Sequence, residues 1–107
     1  MNKKILFTDL DGTLLNDEKE ISEENQLAIA EALQKGHFVV ISTGRPLPSA
    51  RIQANRLGLV KEGCFAITYN GAQIYDFHNE KTIYKRGVPH RLVAPLFEAA
   101  ASCGLHF

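Results

Sequence analysis

Short apolar runs alternate with amphipathic segments along the first two thirds of the chain. Lys4–Thr8, Phe38–Ser42 and Phe65–Thr68 are apolar runs without polar alternation, and each ends abruptly in polar residues or glycine. Such runs are typical of strands that are covered on both faces of a parallel sheet. Amphipathic segments at about 23–35 and 46–58 separate the runs and predict two helices. The pattern therefore predicts a βαβαβ unit, with three parallel strands and helices on the faces of the sheet.

Local signals mark the ends of both predicted helices. Ser22 is a favourable N-cap residue for the first helix, and Gly36 is a favourable stop. Pro46 marks the entry to the second helix and Gly58 its end. These signals support the boundaries that the apolar spacing predicts.

The alternation of apolar runs and amphipathic segments ends at Gly71. The segments Gln73–Phe77 and Thr82–Lys85 are strand-like and only four residues apart, which predicts a short hairpin. Apolar residues between 92 and 100 have helical spacing, but Pro95 lies within that segment. Because proline lacks an amide hydrogen, we expect it to kink this last helix or delay its start.

Charge and composition exclude several classes of function. Twelve Lys plus Arg balance twelve Asp plus Glu, so the formal net charge of zero provides no global field to attract nucleic acid or anionic lipid. No apolar run approaches the roughly 20 residues that a membrane span needs. Cys64 and Cys103 lack the spacing of a zinc site or a redox pair, and we expect both to be buried free thiols. The composition predicts a cytoplasmic protein that binds neither nucleic acid nor membrane.

Polar residues follow each of the three predicted strands. In an open parallel sheet, functional groups collect beyond the carboxyl ends of the strands, so Asp9, Asp11, Thr43 and Asn70 should converge on one crevice. Taken alone, the paired acids also fit a solvated turn, and Thr43 also fits a strand-end hydroxyl that caps the next helix. Arg45 fits either a phosphate contact or a structural ion pair.

The motifs at these strand ends resemble those of a known enzyme family. Residues 9–14, Asp-Leu-Asp-Gly-Thr-Leu, resemble the first motif of the haloacid dehalogenase superfamily of phosphatases, and residues 42–45, Ser-Thr-Gly-Arg, resemble the second. Residues 69–72, Tyr-Asn-Gly-Ala, resemble a further signature of its Cof-type branch, subclass IIB. The resemblance implies a Rossmann-like parallel sheet with helices on both faces and an inserted α/β cap. It predicts the first part of the core in residues 1–80 and the start of the cap in residues 81–107.

The resemblance also implies a mechanism for the two acids. Asp9 would attack phosphorus and become an aspartyl-phosphate, which divides one displacement into two steps. Asp11 would protonate the leaving oxygen and then take a proton from the hydrolytic water. The Asp9 carboxylate and the Asp11 backbone carbonyl would hold Mg²⁺, which prefers oxygen ligands.

The remaining motif residues would bind the substrate phosphate. By resemblance, Thr43 would donate its hydroxyl and Asn70 its side-chain amide to the phosphoryl oxygens. The backbone amides of Gly12 and Gly44 can approach closely because glycine has no side chain. Arg45 would be an additional contact if it binds phosphate.

The chain ends before two further motifs of the family, a lysine that screens the phosphate and the acids that complete the metal shell. The resemblance covers essentially all 107 residues, which correspond to about two fifths of a Cof-type protein. The expected function is Mg²⁺-dependent hydrolysis of phosphate monoesters of small metabolites such as sugars. We expect the 107-residue chain alone to be inactive or weakly active. The alternative is a non-catalytic remnant that keeps a phosphate-binding crevice as a binding or interaction module.

Overall fold

The computed structural model describes residues 2–18 and 20–105. Five strands and three α-helices are present in this part of the chain. In chain order they are β1 (Ile5–Thr8), α1 (Glu23–Gln34), β2 (Phe38–Ser42), α2 (Leu47–Arg56), β3 (Cys64–Thr68), β4 (Gln73–Asp76), β5 (Lys81–Lys85) and α3 (Val93–Ser102). Short 3₁₀ turns at Tyr69–Gly71 and His90–Leu92 precede β4 and α3.

The strands form one mixed sheet in the order β1-β2-β3-β4-β5. The first three strands are parallel, as predicted, with Leu6 opposite Val39 and Ile41 opposite Ala66. Strands β3, β4 and β5 are antiparallel to their neighbours. The predicted α/β class and its Rossmann-like parallel part are therefore confirmed, and the hairpin extends the same sheet.

The hairpin lies on both sides of residue 80, after which the sequence predicts the start of the cap; that division stays a prediction. β5 is paired with β4 across that position and continues to Lys85. Asp76 holds the connecting turn, because its Oδ1 accepts hydrogen bonds from the amides of His78 (3.0 Å) and Asn79 (3.2 Å). A hydrogen bond from the Asn79 side chain is the main cause that lowers the pKa of Asp76. A boundary at 80 would separate two paired strands.

A single apolar core lies between the sheet and its two crossover helices. Ile29 of α1 and Ala54 of α2 belong to the same buried cluster as Val39, Ile41 and Ala66. Both helices are therefore on one face, whereas helices on both faces were expected. The reason is the strand order: two right-handed crossovers that advance in the same direction place their helices on the same side.

The opposite face of the sheet is partly open in the described chain. Ile5 and Phe7 of β1 are 55% and 59% exposed, although both belong to an apolar run. Phe38 and Phe65 also lie on this face, where their ring centroids are 6.1 Å apart. The apolar composition of β1 thus exceeds what the described residues bury.

Local signals fixed the helix ends as expected. The Ser22 hydroxyl accepts a hydrogen bond from the amide of Asn25 at 3.2 Å, which caps α1. Pro46 occupies the N-cap position of α2. Pro95 is the third residue of α3. An amide hydrogen at this position has no partner within the helix, so proline is tolerated there and the start of the helix lies just before it.

The cysteines differ in environment. Cys64 is a buried free thiol, as predicted, and burial raises its pKa. Cys103 is a free thiol but is exposed, so the prediction of burial was wrong for it, because no residue of α3 is buried. Within residues 2–18 and 20–105, no helix is long and apolar enough to cross a membrane.

Candidate functional site

The loop after β1 presents its two acids outward because the alternate residues are buried. Leu10 and Leu15 are 0% and 1% exposed, whereas Asp9 and Asp11 are exposed. The amide of Leu15 donates to the carbonyl of Leu10 at 2.7 Å, which closes the loop tightly. The spacing of one residue between the acids is thus a consequence of anchoring Leu10 in the core.

Gly12 serves this loop through its backbone conformation. Its φ of 78° lies in the left-handed region that favours glycine. Its amide donates to the Leu15 carbonyl at 3.1 Å, so that hydrogen is already used within the loop. The phosphate contact of the Gly12 amide stays a prediction, and it would require this hydrogen bond to be shared or broken.

The carboxyl ends of β1, β2 and β3 meet at an open crevice of about 450 Å³. Four of the residues singled out from the sequence lie together here: Asp9, Thr43, Gly44 and Asn70. Ser42, Ile67 and Gly71 complete its lining. Neither Asp11 nor Gly12 is among the lining residues.

Thr43 combines a structural and a donor capability. Its side chain is 7% exposed, and its Oγ1 accepts a hydrogen bond from the amide of Arg45 at 3.1 Å. A hydroxyl that accepts in this way still has its own hydrogen to donate. Thr43 therefore secures the turn after β2 and can also donate into the crevice.

The turn after β3 holds the side chain of Asn70 at the crevice. Asn70 has φ 55° and ψ 36°, a left-handed conformation that asparagine tolerates better than most residues. Its amide donates to the Thr43 carbonyl at 3.3 Å, and the amide of Tyr69 donates to the Arg45 carbonyl at 3.2 Å. These bonds tie the β3 turn to the β2 turn. Among the described residues, the Asn70 side chain has no hydrogen-bond partner, so its amide hydrogens are available.

Gly44 is required by close packing against Asn70. A Cβ at position 44 would lie 2.8 Å from Asn70 Oδ1, closer than real side-chain carbons approach. Its amide donates to no other described residue, so it is available to a ligand in the crevice. Gly44 therefore leaves space for the Asn70 side chain, whereas Gly12 provides a left-handed backbone conformation.

Arg45 forms an ion pair with Asp11. Its Nε donates to Asp11 Oδ2 at 2.8 Å and its Nη2 to Oδ1 at 2.6 Å. Its Nη1 donates to Ser49 Oγ at 3.0 Å. The hydrogen bonds to Asp11 are the main cause that raises the pKa of Arg45. Of the two alternatives for Arg45, this structure contains the ion pair. Sequence analysis missed Ser49, and no motif marks it.

The two acids after β1 carry oxygen atoms of the kind that magnesium prefers. Asp9 Oδ1 accepts from the Leu10 amide at 2.8 Å, while Oδ2 has no hydrogen bond to a described residue. The Asp9 carboxylate and the backbone carbonyl of Asp11 offer hard oxygen donors of the kind that Mg²⁺ prefers. No group of three or more His, Cys, Asp or Glu side chains suited to a metal occurs within the described ranges. These two oxygen donors would make up only part of a magnesium shell.

Comparison with known proteins relates this arrangement to a large group of hydrolases. Residues 6–107 match a family described as haloacid dehalogenase-like hydrolase. Over 73 residues, or 68% of the chain, the sequence is 53% identical to the 5-amino-6-(5-phospho-D-ribitylamino)uracil phosphatase YcsE of Bacillus subtilis, and the match covers 28% of that protein.

Solved structures show the same similarity. The crystal structure of a haloacid dehalogenase-like hydrolase from Bacteroides thetaiotaomicron matches 95% of this chain with a TM-score of 0.80 and 33% identity, over 38% of its own length. The HAD subclass IIB sugar phosphatase BT4131 matches 96% of the chain with a TM-score of 0.68 and 30% identity, also over 38% of its length. The chain therefore spans about a third of the length of the proteins it resembles.

Proposed function

Because the chain belongs to the haloacid dehalogenase-like hydrolases, we propose that the full-length protein hydrolyses phosphate monoesters of small metabolites through an aspartyl-phosphate. One observation supports the proposal: an acid and three residues that can donate hydrogen bonds, from three separate loops, line the same crevice. These residues are Asp9, Thr43, Gly44 and Asn70.

In the first step, an Asp9 carboxylate oxygen forms a bond to phosphorus while the bond from phosphorus to the leaving oxygen breaks. The Leu10 amide holds Asp9 Oδ1, which leaves Oδ2 as the attacking atom. Asp11 gives a proton to the leaving oxygen, so the alcohol departs neutral. The Thr43 hydroxyl and the amides of Gly44 and Asn70 donate to the phosphoryl oxygens as charge builds on them.

In the second step, water attacks phosphorus and the bond to the Asp9 oxygen breaks. Asp11, now ionised, takes the proton of the attacking water. Inorganic phosphate leaves, and both acids return to their starting states. The same donors serve both steps because the phosphoryl group remains in the crevice.

Magnesium fits this proposal as the cofactor. When bound, the ion would offset the repulsion between the anionic nucleophile and the anionic phosphate. The Asp9 carboxylate, through the oxygen that does not attack phosphorus, and the Asp11 carbonyl are the groups of this chain that would hold it. Because the Asp11 contact is a backbone atom, replacement of the Asp11 side chain should leave this metal ligand in place.

The substrate class follows from the similar proteins. One is named a phosphatase of a phospho-D-ribitylamino compound and another a sugar phosphatase. Both names describe phosphate on a small polyhydroxylated metabolite, and we assign this class to the full-length protein. A cytoplasmic location is part of the same proposal and is supported by the two free cysteines.

Phosphoenzyme trapping tests the nucleophile. The full-length protein is mixed with a ³²P-labelled phosphate monoester and Mg²⁺, quenched in acid, and assayed for protein-bound label. We expect label on the wild type and none on Asp9→Asn, because an amide is a poor nucleophile. Asp17→Asn is the matched control, since Asp17 is an exposed acid outside the crevice.

Two results would contradict the proposal. One is an Asp9→Asn variant that still becomes labelled. The other is a correctly folded wild-type protein that neither forms a phosphoenzyme nor hydrolyses aryl, sugar or polyol phosphates.

A variant Asp11→Asn should still bind Mg²⁺, as measured by calorimetry, while its turnover falls.

A further inference from the structure

The contact between Arg45 and Asp11 is a planar, two-pronged ion pair. Each carboxylate oxygen of Asp11 accepts from a different guanidinium nitrogen, at 2.8 and 2.6 Å. This geometry fixes both the direction and the plane of the carboxylate, which a single contact would not do. The Asp11 side chain is 41% exposed, so protein packing alone does not immobilise it.

Arg45 is itself held at three further points, one on the guanidinium and two on the backbone. Nη1 donates to the Ser49 hydroxyl on α2. The Arg45 amide donates to Thr43 Oγ1, and the Arg45 carbonyl accepts from the amide of Tyr69. Arg45 therefore connects the turns after all three parallel strands. This anchorage makes Arg45 a rigid support for the acid on the neighbouring loop.

The position of Arg45 argues against a direct role in phosphate binding. The crevice is lined by neutral donors and by Asp9, and Arg45 is not among its lining residues. Three of its five N–H hydrogens are used by Asp11 and Ser49. The two remaining hydrogens belong to a guanidinium that Asp11 and Ser49 hold and that does not line the crevice.

We infer that Arg45 is a positioning residue that acts through Asp11: it orients the Asp11 carboxylate for proton transfer and does not bind the substrate phosphate. This inference rests on the proposed function. Two-point binding suits a group that must exchange a proton in a defined direction, because it fixes where both carboxylate oxygens lie. Ser49 contributes indirectly, because its hydroxyl accepts a hydrogen bond from the Arg45 guanidinium.

A double-mutant cycle in the full-length protein tests the inference. Arg45→Met, which keeps the length of the stem, is measured with and without Asp11→Asn, using an alkyl phosphate whose leaving oxygen needs a proton. We expect kcat to fall at least about 10-fold in the Asp11 background and less than about 2-fold further in the Asp11→Asn background, since the two residues act as one unit. The KM and the inhibition constant of inorganic phosphate should change less than about 3-fold.

Ser49→Ala is the second variant, and it tests the inference even if Arg45→Met does not fold. It leaves the charge pair in place and removes one contact of the guanidinium, so kcat should fall only about 2- to 5-fold. This loss should also disappear in the Asp11→Asn background. Thermal unfolding of each variant checks that the fold is retained.

Two outcomes would overturn the inference alone. One is a rise of about 10-fold or more in the KM and in the phosphate inhibition constant of Arg45→Met, which would indicate a direct phosphate contact. The other is an equal loss of kcat in both Asp11 backgrounds. A wild-type protein that forms no phosphoenzyme would instead overturn the proposed function, and this inference with it.

Discussion

Replacing Gly44 with alanine should displace the Asn70 side chain and thereby impair phosphate binding and transfer. The new Cβ would lie 2.8 Å from Asn70 Oδ1 and 3.4 Å from its Cγ and Nδ2. The amide oxygen must therefore withdraw by at least about 0.6 Å to reach ordinary contact distance. The φ of Gly44 lies outside the left-handed region, so alanine can adopt the backbone without strain.

The expected cost in activity is larger than the cost in stability. A misplacement of about 1 Å in a positioned group can cost 10²-fold in rate, so we expect kcat/KM to fall about 10- to 100-fold. The free energy of unfolding should change by less than about 1 kcal/mol, because alanine also restricts the unfolded chain. Gly12→Ala is the matched comparison: nothing lies within 4 Å of a Cβ there, but its φ of 78° is unfavourable for alanine. It should lower the free energy of unfolding by about 1–2 kcal/mol.

The assay is steady-state hydrolysis of an aryl phosphate by the full-length protein, with denaturant unfolding of each variant. Asn70→Gly provides the second background, since glycine accepts the left-handed conformation and removes the side chain. If Gly44→Ala acts through Asn70, its effect should shrink to less than about 3-fold in that background. A loss of the same size in both backgrounds would refute the reasoning and indicate that the new methyl group obstructs the ligand itself.

Two further predictions concern stability and the isolated chain. Thr68 is 0% exposed and its Oγ1 has no hydrogen-bond partner among the described residues, so Thr68→Val should raise the free energy of unfolding by about 1 kcal/mol in denaturant titrations. A clear loss of stability would mean that the hydroxyl is satisfied. The 107-residue polypeptide should show Mg²⁺-dependent phosphatase activity at least about 100-fold below that of a complete family member, because no lysine or arginine lines the described crevice to stabilise the transferring group. Turnover near that of a complete enzyme, absent from its Asp9→Asn variant, would contradict this expectation.

Sequence alone predicted the elements and their order because the signals are local. The apolar runs and the capping residues Ser22 and Pro46 act within a few positions, and the helices and strands follow them closely. The motifs after the first three strands also predicted which strand ends would supply the crevice. Parallel pairing followed from the helices that connect consecutive strands, because such a crossover returns the chain to the same edge of the sheet.

Tertiary structure decided the features that depend on neighbours distant in sequence. Strand order placed α1 and α2 on one face and joined the hairpin to the sheet across the boundary expected at residue 80. Only the packing shows that Gly44 makes room for Asn70, whereas the Gly12 amide donates a hydrogen bond within its own loop. The sequence likewise did not decide between a phosphate contact and an ion pair for Arg45. A guanidinium can reach phosphate or carboxylate alike, and the proximity of Asp11, 34 residues away, settles which one it binds in this structure.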